Sequence, residues 1–231
     1  MAFKDDLEAA VKKIFRDGWA KRAGEVVPEP QDLKLGNDAV SLNATILYAD
    51  MSDSTKLVDD QIADLAAEVY KSYMACAARI IKFEGGSITA YDGDRVMGIF
   101  IGDMKNTTAA RTALKISWAV KTIVNPALVS QYGTGAYQMQ HCIGIDTSSI
   151  MASRIGVRND NDLVWVGRAA NYGAKLSSLD AGYVYITDTV FNKLHDSSKF
   201  SGEPRRLIWE KRWWTAMNNM TVYRSGWIWS L

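Results

Sequence analysis

A chain of 231 residues and 25.6 kDa is long enough for one sizeable core and leaves little room for a second independent one. With 48% hydrophobic and 23% charged residues, its composition is that of an ordinary globular protein, which excludes extensive disorder. Lys and Arg number 27 against 26 Asp and Glu, and the resulting net charge of +1 gives no general field to draw nucleic acid or anionic lipid.

The first helical pattern places Phe3, Leu7, Ala10, Val11, Ile14 and Phe15 on one face, and Gly18 or Gly24 would end it. Residues 25–37 carry Pro28 and Pro30 without a clear period and read as a linker. The helix is either a layer or dimer element added to the main domain, or a plain surface helix. It lacks the apolar core of a secretion signal, and no run approaches the roughly 20 apolar residues of a membrane helix. Cys76 and Cys142 have no close cysteine neighbours, so zinc motifs are absent and a reducing, cytoplasmic setting is expected.

The compact domain starts near Ser41. Residues 42–49, LNATILYA, suit a largely buried strand that ends in the polar stretch Asp50–Thr55. A long helix follows, with Ile62, Leu65, Val69, Tyr73, Cys76 and Ile80 along one face, which makes Cys76 a core packer rather than a nucleophile. Ser87–Tyr91 and Arg95–Ile101 are strands joined by Asp92-Gly93-Asp94, a strong hairpin signal. A helix over Thr107–Val124 should stop at Asn125-Pro126. Residues 137–146 form a strand, with a shorter run, Ile150–Ile155, able to pair back on it. Leu163–Val166 is a strand, Gly167 opens a helix, Tyr183–Ile186 is a strand, and Asp188 caps a short helix through Leu194. This order predicts an α+β fold with a mostly antiparallel sheet. The implied division is 1–37 (helix and linker), 38–200 (main domain) and 201–231 (a C-terminal extension packing on the domain or the dimer).

Five of the eight tryptophans lie in that extension, at 209, 213, 214, 227 and 229, interleaved with Arg205, Arg206, Lys211, Arg212 and Arg224. Such a mixture can stack on nucleic-acid bases. It also suits a covered core or subunit interface, and the lack of any repeated motif favours coverage.

Asp50 ends a buried strand and Asp94 begins the second strand of a tight hairpin. If those strands are neighbours, two carboxylates emerge at one sheet edge, repel each other and favour a hard divalent cation, Mg²⁺ or Mn²⁺. Spacing alone favours the ordinary reading of both as turn or cap residues. The small polar stretch Asp50–Thr55, joining strand to helix, is able to cradle phosphates with its backbone N–H groups. It is not a G-x-x-x-x-G-K-S/T loop.

ILYADMSDSTKL and GGSITAYDGDRVMGIF resemble the two metal motifs of class III nucleotide cyclases. HCIGIDTSSIMASRIG is similar to the family's next strand pair, and VWVGRAANYGAKLSSL to its strand–helix segment holding transition-state residues. The ordered set covers residues 41–186 and implies the ferredoxin-like cyclase fold. By resemblance, Asp50 and Asp94 are the metal aspartates, and Met51 offers a backbone carbonyl to an ion. The resemblance implies two divalent cations, Mn²⁺ or Mg²⁺, with the triphosphate over Ser52, Asp53, Ser54 and Thr55. Asn171 matches the asparagine that orients the ribose and attacking hydroxyl. Lys175 stands where the family usually has an arginine on the phosphates, which turns a bidentate fork into a point charge. In the family the aspartates of one subunit meet the asparagine of the other, so the resemblance implies a closed homodimer with two composite sites.

The pattern departs at the base pocket. Purine cyclases place Lys or Glu four residues before the second aspartate, where this chain has Ala90, and a second base-reading residue seven before the asparagine, here Val164. Tyr91, Arg95 and the backbone around Leu163–Trp165 are the remaining candidates, and Tyr91 and Trp165 are large enough to fill space a purine would occupy. The altered pocket and the chain's architecture resemble the bacterial pyrimidine cyclases of anti-phage signalling, many of which make cyclic UMP for a separate effector. The expected substrate is UTP. The alternatives are a cytidylate or purine nucleotide cyclase, or an inactive nucleotide-binding dimerisation module. No nucleic-acid or stable membrane partner is expected.

Overall fold

The computed structural model describes residues 2–157 and 159–231. In chain order the elements are α1 (Phe3–Arg16), β1 (Ala20–Ala23), β2 (Asp38–Ser52), α2 (Ser54–Asp60), α3 (Ala63–Phe83), β3 (Ser87–Asp92) and β4 (Arg95–Phe100). They continue with α4 (Lys105–Ala119), α5 (Asn125–Tyr132), β5 (Gln140–Val157), β6 (Asp160–Val166), α6 (Arg168–Leu176), β7 (Val184–Thr187) and α7 (Asp188–Asn192). A two-residue pair, β8 (Phe200–Ser201) and β9 (Arg206–Leu207), precedes the final hairpin of β10 (Glu210–Trp214) and β11 (Met220–Ser225).

The main sheet runs β10-β11-β7-β5-β2-β4-β3, with β1 added to β2 and β6 to β5. Its pairs are antiparallel except β1 with β2 and β5 with β7. Strand β2 is central and covered on both faces, which is why LNATILYA reads as a nearly continuous apolar run. Its odd residues Leu47, Ala49 and Met51 join Tyr73, Ile81, Leu114 and Ile143 in the core under α3 and α4. Its even residues Leu42, Ala44 and Ile46 join Met97, Ile150 and Trp165 in a second core on the opposite face. The alternation is a direct consequence of the two-residue strand period.

Several expectations change. The runs at 137–146 and 150–155 are not a pair: β5 is one continuous strand of 18 residues, and β6 is what pairs back on it. Asn125-Pro126 does not end the helix. The helix runs on through a π-helical turn at Val120–Val124, where the Asn125 N–H bonds the Val120 carbonyl five residues back, into α5 with Pro126 in its first turn. Ile62 precedes α3 and is exposed, so it leaves the apolar stripe. Thr187, not Asp188, caps α7 by accepting from the Val190 N–H. β1 has no apolar alternation and gave no strand signal.

Helix α1 buries none of its residues; its last turn is tied down by the Asn37 amide, which donates to the carbonyls of Ile14 and Asp17. At the other end, β11 pairs with β7, Trp209 and Trp214 are buried, and Trp213 is largely exposed. The Trp209 indole N–H donates to the Ser198 carbonyl at 2.7 Å. Arg205, Arg212 and Arg224 are engaged with Asp196, Glu210 and Asp180.

Candidate active site

The hairpin between β3 and β4 turns on Gly93 and Asp94, with Gly93 in the left-handed region at φ 61°. β4 runs antiparallel to β2 with Arg95 opposite Asp50, so Asp94 arrives at the end of the sheet where Asp50 emerges. The Met51 N–H donates to the Asp94 carbonyl at 3.1 Å and fixes the turn against β2. Both carboxylates therefore share one open cleft of about 540 Å³, together with Met51, Ser52, Asp53 and Arg95. Ser54 and Thr55 begin α2 beside it without lining it.

Asp50 is half-buried. Burial first, and then the nearby Asp94 charge, push its carboxyl up to about 6, against the opposing pull of Arg95 and a Ser177 hydroxyl. That hydroxyl donates to Asp50 Oδ2 at 3.4 Å, and the buried Tyr73 hydroxyl reaches the Asp50 carbonyl at 3.5 Å. A carboxylate pair crowded in this way, with the nearby Arg95 bonded to Asp92, is the kind of donor set a divalent cation relieves. Met51 has its side chain in the core, which leaves its backbone to face the cleft. Asp53 and Asp92 also line the cleft, although among the described residues no three His, Cys, Asp or Glu side chains are grouped closely enough to hold a metal ion by themselves. The residues fit hard-oxygen ligation.

Asn171 and Lys175 lie on α6, exposed, and the structure does not bring them into the carboxylate cleft. Lys175 instead lines an adjoining hollow of about 450 Å³ with Arg95, Ser178, Trp214 and Met217. Of the base-pocket candidates, Arg95 lines both hollows; it bonds Asp92 at 2.5 Å and sits 5.4 Å over the Tyr48 ring. Ala90 packs against the second core, to which Trp165 belongs; Val164 is half-buried and Tyr91 exposed. The Trp165 indole N–H is buried with no partner among the described residues.

Sequence reasoning missed Asp92 and Ser177, which both line the cleft. Asp92 was visible only as a turn residue, and Ser177 carried no motif signal. His141 is buried against Ser117 at 2.9 Å, away from the cleft, and burial lowers its imidazole to about 4. Burial also pushes the Cys142 thiol up to about 12. Neither serves the cleft as base or nucleophile.

Three relatives match along their whole lengths. A uridylate cyclase from Xanthomonas perforans is 47% identical over 232 residues, covering 100% of both chains. One from Burkholderia cepacia is 46% identical with the same full coverage. A third, from Rhodovulum sp. (strain MB263), is 37% identical, covering 98% of this chain and 97% of that one. The chain belongs to the uridylate cyclase family. No family model matches the sequence. Among solved structures, a guanylyl cyclase is similar with a TM-score of 0.69 at 18% identity, covering 82% of this chain and 94% of its own. An adenylyl cyclase from P. aeruginosa gives 0.68 at 17%, covering 81% and 95%. The fold is that of the class III nucleotide cyclases, and the cleft at Asp50 and Asp94 lies in a nucleotide cyclase.

Proposed function

We propose that the chain converts UTP to 3′,5′-cyclic UMP and pyrophosphate, as a homodimer with two composite sites. The observation that carries this reading is the convergence of Asp50 and Asp94 on one open cleft, with Asp50 raised to about 6 by burial and its neighbour. The relatives named uridylate cyclase support the base assignment, as does the absence of a hydrogen-bonding side chain at Ala90 and Val164. A base is refused only when its polar edge is left unpaired, so a pocket without those groups has no means of selecting a purine by its edge.

Asp50, Asp94 and the Met51 carbonyl would hold two divalent cations, Mn²⁺ or Mg²⁺. When bound, such a pair lowers the pKa of the ribose 3′-hydroxyl and neutralises charge on the triphosphate. The backbone of Ser52, Asp53, Ser54 and Thr55 borders the phosphates. Asn171 from the other subunit orients the ribose so that O3′ faces the α-phosphorus, and Lys175 offsets charge on the phosphates. The 3′-hydroxyl gives up its proton to solvent, and the O3′–phosphorus bond forms as the bond to pyrophosphate breaks. Ala90, Tyr91, Val164 and Trp165 shape the base pocket, and Arg95 and the unpaired Trp165 indole N–H are its polar groups. The product acts through a separate effector in anti-phage signalling.

The test is incubation with equal ATP, GTP, CTP and UTP plus Mn²⁺, read by mass spectrometry against Asp94→Ala. A dominant cyclic UMP product, missing from the variant, is expected. A dominant cyclic AMP, GMP or CMP product would overturn the base assignment, and full activity of Asp94→Ala would overturn the metal assignment.

A further inference from the structure

Helix α6 carries Asn171 and Lys175 and meets the sheet at its middle by a backbone-to-backbone contact. Gly173 lies against Gly144 of β5 so closely that a Cβ on Gly144 would stand 2.1 Å from the Gly173 carbonyl oxygen. The backbone contact at Gly173 brings the middle of the helix close, and Leu176, packed with Cys142 and Tyr185, seats its C-terminal end. The N-terminal turn, where only the small Ala169 and Ala170 enter the core, is held by a polar cluster. Arg168, its first residue, donates through Nε to Asp146 Oδ2 at 3.0 Å and through Nη2 to Asp146 Oδ1 at 3.3 Å. Nη2 also donates to the Thr147 carbonyl at 2.8 Å. Asp146 lies on β5 and is fully buried, and its Oδ1 accepts from the Thr187 hydroxyl at 2.5 Å. The guanidinium lies 5.6 Å from the Tyr172 ring centre, on the turn that carries Asn171.

Burial leaves the Asp146 carboxyl above the ordinary carboxylate range despite these donors. An apolar pair of the same volume would hold a helix to a sheet at least as well as a buried ion pair does. What the fork adds is direction, because two parallel N–H bonds fix both the position and the plane of the guanidinium. Arg168 and Asn171 are three residues apart and therefore neighbours on the helix surface.

We propose that Asp146, Arg168 and Thr187 form a positioning clamp that sets the rotation of α6, and thereby aims Asn171 at the ribose bound over the partner's carboxylates. This rests on the composite-site cyclase reading. Arg168 and Asp146 touch no substrate in it; they act through Asn171.

The experiment compares Arg168→Lys, which keeps the charge and loses the fork, with the milder Thr187→Val. Arg168→Lys should lower kcat roughly a hundredfold with little change in KM, as expected when a group aligned for the transition state is misplaced. Thr187→Val should show a smaller loss of the same kind. Mixed dimers give a readout that general destabilisation does not move. Arg168→Lys paired with Asp50→Ala leaves one intact composite site and should recover activity. Paired with Asn171→Ala it should not, because both lesions lie on α6. Wild-type kcat in Arg168→Lys, or equal behaviour of the two mixed dimers, overturns the clamp while leaving the cyclase reading standing. If the wild type yields no cyclic product, the cyclase reading fails separately. Hydrogen exchange then decides the clamp: faster exchange confined to residues 168–176 in Arg168→Lys supports it, and unchanged exchange overturns it.

Discussion

Gly144→Ala is the sharpest perturbation of the site's architecture. A methyl group there would meet the Gly173 carbonyl oxygen at 2.1 Å, the Ser177 nitrogen at 2.5 Å and the Leu176 Cβ at 2.7 Å. Two of these atoms belong to helix backbone and cannot rotate away. Restoring ordinary contact requires α6 to lift from β5 by about 1 Å, and overpacking of this kind costs roughly 1–3 kcal/mol. For a chain of this size that is a fall in Tm of about 2–12 °C. The same lift moves Asn171 and Lys175 and pulls Ser177 from Asp50, so kcat should fall about a hundredfold, the scale for a misplacement of about 1 Å. Gly98→Ala is the control. Its methyl would meet only side-chain atoms of Ile81, Cγ2 at 3.1 Å and Cδ1 at 3.3 Å, on the face away from α6 and with no backbone atom in the way. It should cost stability without a comparable loss of kcat. Thermal unfolding and initial rates with UTP and Mn²⁺ measure both. A Gly144→Ala variant with wild-type Tm and kcat would refute the seating of α6 described here.

Two further predictions concern the frame. His141 is folded with its imidazole near 4 against an ordinary 6.5, so the unfolded chain takes up a proton that the folded one refuses. Stability from this residue is complete above pH 6.5 and is lost as pH falls toward 4. Between pH 7 and pH 5 the loss is about 2 kcal/mol, and His141→Gln should flatten that part of a urea-denaturation pH profile. A profile unchanged by the substitution would sink the assignment. Trp209→Ala removes a buried side chain and its bond to Ser198, and should cost about 3–5 kcal/mol, whereas exposed Trp213→Ala should stay within about 0.5 kcal/mol. Equal effects in denaturant melts would refute the placement of the tail hairpin.

The hairpin at Asp94 and the buried strand ending at Asp50 were legible because their signals are local: an Asp-Gly turn, and an apolar run stopped by polar residues. The length of β5 was not. Its middle reads Asp146-Thr147-Ser148-Ser149, the composition of a turn, yet each of the first three serves a tertiary bond. Asp146 holds Arg168, the Thr147 hydroxyl donates to the Ala44 carbonyl, and the Ser148 hydroxyl accepts from the Ala169 N–H. Polar residues with partners more than 20 positions away cannot be told from loop residues by pattern alone. Ser177 escaped notice for the same reason, since Asp50 lies 127 residues from it in sequence.

Helix geometry bears on the proposal that Asn171 acts on a site in the partner subunit. Ser177 extends the last turn of α6 with helical φ and ψ, and its hydroxyl marks the side of the helix that faces Asp50. Asn171 precedes it by six residues, about 9 Å along the axis and about 240° around it. Lys175 precedes it by two residues, about 3 Å along and about 200° around. Asn171 and Lys175 share a face with each other; Asn171 lines neither of the two hollows, while Lys175 lines the one adjoining the carboxylate cleft of its own chain. An orienting amide acts only within hydrogen-bond reach of the group it holds, about 2.7–3.2 Å. No side-chain rotation spans that turn of the helix for an asparagine. On the proposed composite-site reading, Asn171 would meet the carboxylates of the partner subunit, and a two-fold pairing would close two such sites at once.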